Sequence, residues 1–475
     1  MKIISILLGL IGSTFLITNC VQNKQVATAS SDLLASKERD PSEIYTELCS
    51  GCHGQKVEAF VDRKWKHGNT KPEIIASITN GYVDEGMPTW SAALTKGEID
   101  AMADLIVQSL GTVTQYDFKD VKKQEVYTVD GMTIKLVPVV EGIDVPWGMA
   151  VLPDGKIFVT DRSGDLLQVN TDGNKIKIKG LPEALSEGQG GMLDLKLHPK
   201  YASNGFVYIS YSKSKEEDGE KLSTTAVIRG QIENGNWVNS KEVFEALPYS
   251  KTRHHYGSRL EFNREGYLFI SVGDRGNRDE NPQSLASQCG KIHRINDDGS
   301  IPTDNPFYKQ NGAMKTIWSY GHRNPQGLAL NPTTNQLWET EHGPRGGDEV
   351  NIIEKGKNFG WPVISYGINY DGTTFTTLTE KKGMEQPQIY WLPSIAPSGL
   401  TFVTGDKYPG WKSDLLAGSL RFNYVNRCVM KNNKIVKEEK VLLNIGRTRN
   451  IIQGQDGFIY VSVEKPGIVY KLQPL

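Results

Sequence analysis

Two rhythms of hydrophobic and polar positions divide this chain. Between residues 41 and about 111 the apolar residues recur at helical spacing. Ser42 ahead of "EIYTEL" predicts an N-capped helix over 41–48. Thr95 opens "TKGEIDAMADLIVQSL", a second capped helix with Ile99, Met102, Leu105 and Ile106 as its apolar residues. From about residue 131 onward the helical spacing is gone. Short apolar strands alternate with Gly/Asp turns instead, most clearly in "PWGMAVLPDGKIFVTDRSGDLLQVN". Echoes of that unit begin near positions 190, 257, 325, 398 and 449, which makes six with the first near 147. Strand-rich units repeating at this scale predict a six-bladed β-propeller, with long insertions between blades two and five. The strand-like "MTIKLVPVV" ahead of the first unit is placed to pair with the last blade and close the ring. The fold class is therefore multidomain, a small all-α domain followed by an all-β propeller.

The start of the chain follows neither rhythm. Met1 and Lys2 precede a nearly all-apolar run over 3–17, shorter than the roughly 20 residues of a bilayer-spanning helix. It ends in "LITNC", which resembles the lipobox of bacterial lipoproteins, with Cys20 as the lipid-bearing residue. Asn19 stands where that signal has a small residue, so ordinary secretion is the other reading. Both export the chain, to the periplasmic side, with a lipid anchor as the only membrane contact. The boundaries read as leader 1–19, flexible tether 20–40, helical domain 41–112, linker 113–130 and propeller 131–475.

Composition narrows the classes. At 475 residues, 38% hydrophobic and 23% charged, the chain is a folded soluble protein in character. A net charge of -1 offers no footprint for nucleic acid.

The cysteines carry the first chemistry. Of five, Cys20 belongs to the leader, and Cys289 and Cys428 lie far downstream as buried free thiols or a bridged pair. Cys49 and Cys52 remain, in "TELCSGCHGQKVE", with His53 directly behind. A disulfide alone does not call for His53, and zinc lacks two local ligands. Cys-x-x-Cys-His is the c-type haem attachment pattern, with two thioethers and an axial imidazole. Met87, in "NGYVDEGMPTW", is the expected second axial ligand of the iron. Residues 41–111 thus resemble a small class I cytochrome c, a carrier of one electron at a time.

In the propeller, polar residues appear that the repeat does not need. "RHHYGSRL" puts His255 before a strand and "SVGDRGNRDEN" puts Asp274 after the next, so a hairpin brings them to one sheet end. Arg323 and Asn324 sit in "SYGHRNPQGL". Arg421 lies in "GSLRFN", and Arg447 and Arg449 alternate in "IGRTRN", pointing the same way on a strand. Converging guanidiniums suit a ligand with several carboxylates.

These segments, "HHYGSRL", "GDRGNR", "GHRNPQGLALNP", "EHGPRGGDEVN", "GKNFGWP" and "IAPSGL", resemble in order and spacing the soluble PQQ-dependent glucose and aldose sugar dehydrogenases, the glucose/sorbosone dehydrogenase family. The resemblance runs from about residue 141 to the end. It implies a pyrroloquinoline quinone lying over the propeller mouth and oxidation of an aldose at C1 to a lactone. It implies His255 as general base, made more basic and oriented by Asp274, and Arg323 as the cation beside the quinone oxygen that gains charge. Asn324, Gln189 (in "EGQGG"), Arg421, Arg447 and Arg449 become further cofactor contacts, and the carbonyls of Gly343 and Pro344 ligands of Ca²⁺. Arg421 replaces the lysine of the glucose enzyme, and Leu392 replaces a substrate-stacking tryptophan, with Trp391 one place earlier. The cytochrome becomes a built-in acceptor that passes electrons to a downstream acceptor such as another cytochrome or a respiratory chain. Opposed to this stands a non-enzymatic propeller that binds a partner and uses the haem as a redox sensor. Whether the haem docks over the mouth or swings on the linker is left open by the sequence.

Overall fold

The second rhythm becomes six antiparallel sheets and the first a small group of helices. The computed structural model describes residues 38–53, 56–63 and 65–475. The expected leader, Cys20 and nearly all of the tether lie outside the described residues.

Blade one consists of Pro146–Val151, Ile157–Asp161, Asp165–Val169 and Lys175–Lys177, in that order across the sheet. The later blades open with Met192–Leu197, Leu260–Phe262, Pro325–Leu330, Pro397–Phe402 and Arg447–Gln453. Each opens within three residues of the unit read from the sequence. These opening strands contact one another in sequence order, and the sixth contacts the first, so they form a closed inner ring. Small residues set their spacing. A Cβ on Gly148 would lie 2.5 Å from the backbone nitrogen of Leu195, and one on Gly399 2.5 Å from that of Ile451. Glycine in "PWG" and "PSG" therefore lets neighbouring blades approach backbone to backbone.

Closure of the ring follows the expectation. Met132–Glu141 pairs antiparallel with Ile468–Pro474, from Ile134 opposite Pro474 to Glu141 opposite Ile468. An extra strand, Val126–Val129, pairs in turn with Met132–Glu141. The last sheet therefore starts at Val126, ahead of residue 131. Asp130 and Gly131, both at positive φ (50° and 75°), make the tight Asp-Gly hairpin turn between the two strands.

The first helix differs from expectation at both ends. Its cap is Asp40, whose Oδ1 accepts the Ser42 backbone N–H at 2.7 Å, because Pro41 at the first helical position has no N–H to offer. Helical backbone then continues past residue 48, through a wider turn at Tyr45–Cys49, into Ser50–His53. The cysteines lie within the helix rather than beyond its end. The second capped helix is as expected: in Lys96–Leu110 the Thr95 hydroxyl accepts from the Glu98 N–H, and Glu98 accepts from the Thr95 N–H. Ile99, Met102 and Ile106 are buried in the helical core.

Arg39–Leu475 behaves as one unit. The connection after Lys96–Leu110 lies on the propeller: Val113, Tyr116 and Phe118 pack against a core built from Trp338, Trp391 and Tyr424. Asn444 donates to the carbonyls of Phe118 and Val121. Among the described residues, no helix is long and apolar enough to cross a membrane.

Candidate active site

The Leu260–Phe262/Leu268–Val272 hairpin does what its sequence implies. It brings His255 and Asp274 to one end of blade three, with His255 Nδ1 2.7 Å from Asp274 Oδ1. Asp274 is 1% exposed. Its Oδ1 also accepts from the Gly276 N–H, and its Oδ2 accepts from the Trp361 indole N–H at 2.9 Å. Burial pushes the Asp274 carboxyl up, but the bonds from His255 and the nearby positive charges outweigh it and leave the group below its ordinary value. An ionised carboxylate can only accept, so Nδ1 carries the hydrogen and Nε2 keeps a free lone pair.

The basicity of His255 departs from expectation. Asp274 does raise it, yet burial and then the Arg323 charge act more strongly the other way, and the imidazole is lowered to about 4. The group is a neutral base throughout the physiological range.

Arg323 is held on three sides. Its backbone N–H donates to Glu341 Oε2 at 2.6 Å, and its guanidinium donates to the His342 carbonyl and the Tyr370 hydroxyl. Glu341 belongs to a buried group with His322 and Glu339. Burial, and then the Glu341 charge, holds Glu339 well above the usual carboxylate range.

A hollow of about 110 Å³ lies near the propeller axis, lined in part by Gln189, Asn324, Arg447 and Arg449, four of the residues picked from the sequence. His255 and Arg323 adjoin it without lining it: the His255 N–H donates to Gln189 Oε1 at 2.8 Å, and Arg323 reaches the carbonyl of His342, itself a lining residue. Arg447 and Arg449 do point the same way, and both find the buried carboxylate of Glu464, at 2.7 and 2.6 Å. Sequence reasoning missed Glu464 because nothing near it in the chain marks it; it is the last residue of the strand Ile459–Glu464. Arg259, from "RHHYGSRL" itself, was also missed: it is buried, bonded to Asp194, and donates to the Arg449 carbonyl.

Arg421 stands apart from that hollow. It bonds the Ser394 carbonyl at 3.0 Å and pairs with Asp62 of the helical region at 3.3 Å. Trp391 is fully buried, with its indole N–H on Glu438 at 2.6 Å, so it does not replace the stacking tryptophan at the mouth. Leu392 instead lies against Gly346, whose missing Cβ would come within 2.4 Å of it and 3.1 Å of Asp62.

The turn that holds Gly343 and Pro344 is pinned by Asp348, which accepts from the Gly343 N–H, the Ser394 hydroxyl and the Ala396 N–H. Burial pushes Asp348 up to about 7 against those bonds. Gly343 and Pro344 are buried. Among the described residues no donor meets either carbonyl, an arrangement that suits a hard cation.

In the helical region, Cys49, Cys52, His53 and Met87 line one cavity of about 1040 Å³, together with Trp90. Among the described residues His53 Nδ1 is buried without a partner, and burial lowers the imidazole to about 4. A neutral ring with an unsatisfied nitrogen in an apolar cavity fits a metal-ligating histidine. Cys289 and Cys428 are both free and buried.

Residues 143–471 match the family model for glucose/sorbosone dehydrogenase. The chain belongs to the glucose/sorbosone dehydrogenase family. Residues 36–106 match a second model, described as cytochrome c oxidase, cbb3-type, subunit III, which makes the helical region a cytochrome c domain. Within the family, the chain is 39% identical over 350 residues to the aldose sugar dehydrogenase YliI of Escherichia coli, covering 72% of this chain and 93% of that one. It is 32% identical to quinoprotein glucose dehydrogenase B of Acinetobacter calcoaceticus, covering 68% and 83%. The PQQ-bound structure of an aldose sugar dehydrogenase from Streptomyces coelicolor superposes with a TM-score of 0.59 at 25% identity, covering 72% and 98%. A family member with a cytochrome c domain in front of its propeller is a sugar dehydrogenase with a cytochrome c domain attached.

Proposed function

We propose that this protein oxidises an aldose at C1 to its lactone with PQQ and Ca²⁺ in the propeller, and passes the electrons to a haem c bound at Cys49 and Cys52. The observation that carries the reading is the His255–Asp274 pair, oriented with Nε2 free, beside a hollow lined by Gln189, Asn324, Arg447 and Arg449.

The donor set fits the cofactors. Arg447, Arg449, Gln189 and Asn324 are charges and hydrogen-bond donors suited to a ring carrying several carboxylates, with Arg421, outside the hollow, as a further cation. The undonated carbonyls of Gly343 and Pro344 would take Ca²⁺. His53 and Met87 would ligate the haem iron. PQQ, when bound, supplies the acceptor for the hydride from C1.

This chain's own residues perform the proton chemistry. His255 Nε2 removes the C1 hydroxyl proton, and Asp274 stabilises the imidazolium that forms through Nδ1. Arg323, within reach of Tyr370 and Trp361, places positive charge where negative charge develops. Trp361 keeps Asp274 from turning away. Trp391 is occupied inside its blade and Leu392 is buried against Gly346, which favours a broad aldose range over one sugar.

The same reading places the chain outside the cytoplasm, with Cys20 as a lipid anchor and an external one-electron acceptor downstream of the haem. The test is reconstitution of the purified chain with PQQ and Ca²⁺ and a panel of aldoses, following the haem α-band. Reduction on adding an aldose is expected; a haem that stays oxidised with every sugar, yet reduces with dithionite, overturns the proposal.

A further inference from the structure

The cavity that holds Cys49, Cys52, His53 and Met87 has a wall that the cytochrome c domain does not supply. Residues 371–378 line it too, and they belong to the propeller, in the long connection between Asp348–Ile353 and Ile389–Trp391 of blade four. The contact is fastened at backbone atoms of the haem motif itself. Thr374 Oγ1 donates to the Cys52 carbonyl at 3.0 Å. The Arg63 guanidinium donates both to the His53 carbonyl and, at 3.1 Å, to the Gly372 carbonyl of the propeller connection. On the other side of the wall, the Phe375 ring meets Trp361 edge to face, with centroids 5.2 Å apart. Trp361 in turn holds Asp274 of the base pair. A continuous run of contacts therefore leads from His255 through Asp274, Trp361 and Phe375 to the cavity.

We infer that residues 371–378 are a built part of the haem site, and that Phe375 is the point where electrons from the propeller reach it. The inference rests on the haem and sugar-oxidation reading above. The Phe375 ring and the Leu378 side chain in this otherwise polar wall keep water from the iron, and water favours the more highly charged ferric state, so loss of the ring lowers the reduction potential. Aromatic contacts also replace a gap that an electron would otherwise have to tunnel across. The stoichiometry closes: oxidation of one aldose to its lactone releases two electrons and two protons. Each transfer converts one ferric haem to ferrous, and an external one-electron acceptor reoxidises the haem between the two. The protons leave to solvent.

The test uses the full-length, haem-loaded chain and its Phe375→Ala and Thr374→Val variants, with Val436→Ala, exposed on blade five, as control. Spectroelectrochemistry without PQQ is expected to give a lower midpoint potential in Phe375→Ala, a smaller drop in Thr374→Val, and none in the control. After loading with PQQ and Ca²⁺, Phe375→Ala is expected to slow aldose-driven haem reduction at least tenfold more than it slows reduction of a soluble dye by the same enzyme. Unchanged potentials in both loop variants overturn the wall. A lowered potential with unchanged transfer keeps the wall and removes the electron-transfer role of Phe375. Should the unmodified chain reduce neither dye nor haem with an aldose, the sugar-oxidation reading falls, and the potentials still decide the wall.

Discussion

Asp62 of the cytochrome c domain pairs with Arg421 of the propeller across 3.3 Å. The two residues are unequal: the Asp62 side chain is 4% exposed, that of Arg421 40%. Among the described residues Asp62 Oδ2 has no hydrogen-bond partner, and burial raises the carboxyl above its ordinary value in spite of Arg421. The cytochrome therefore engages an arginine expected to bind the cofactor, and the two uses of Arg421 compete.

Asp62→Asn relieves that competition. A neutral amide removes the buried charge and frees the guanidinium, and linkage requires that whatever weakens the Asp62 contact strengthens the alternative one. We expect PQQ to bind a few-fold more tightly to the variant in an absorbance titration. An unchanged Kd would remove Arg421 from the cofactor site.

The His255 imidazole should titrate far below an ordinary histidine. Lowered to about 4 by burial and Arg323, it stays neutral in the folded cofactor-free chain until the pH nears that value, whereas the unfolded chain takes up the proton near 6.5. Between those values the unfolded state binds more protons, so stability rises with pH and is lost as pH falls from 6.5 towards 4, by up to roughly 3 kcal/mol. His255→Asn should flatten that part of the curve in chemical denaturation, abolish aldose oxidation, and leave the dithionite-reduced haem spectrum intact. A slope identical to that of the unmodified chain would show that the imidazole is not desolvated.

Trp361→Phe keeps the ring against Phe375 and removes the indole donor to Asp274 Oδ2. A buried carboxylate deprived of a hydrogen bond costs about 1–3 kcal/mol. Asp274 then holds His255 less firmly, so kcat should fall about tenfold with KM nearly unchanged. A change confined to KM would place Trp361 in sugar binding instead.

Removal of Ca²⁺ by a chelator should stop aldose-driven haem reduction and leave dithionite reduction untouched, with recovery on adding Ca²⁺ back. The buried, undonated carbonyls of Gly343 and Pro344 are the observation behind this. Full activity in excess chelator would exclude them as metal ligands.

The features legible in the residues alone are those that short-range backbone geometry controls. Cys49, Cys52 and His53 are neighbours in one helical stretch, so their joint purpose is legible from spacing alone. The alternation of each strand and the glycine in "PWG" and "PSG" follow from pleating and close approach. His255 met Asp274 because a hairpin returns its second strand to the start of the first. Tertiary structure decided the contacts between residues far apart in the chain. Trp361 on Asp274, Glu464 between Arg447 and Arg449, Asp62 on Arg421 and Thr374 on Cys52 depend on how blades pack round the ring and where the cytochrome comes to rest. Those positions arise from the summed burial of many side chains, and no single segment encodes them. The low basicity of His255 belongs with them, since burial and a charge from the next blade outweigh the partner that the hairpin supplies.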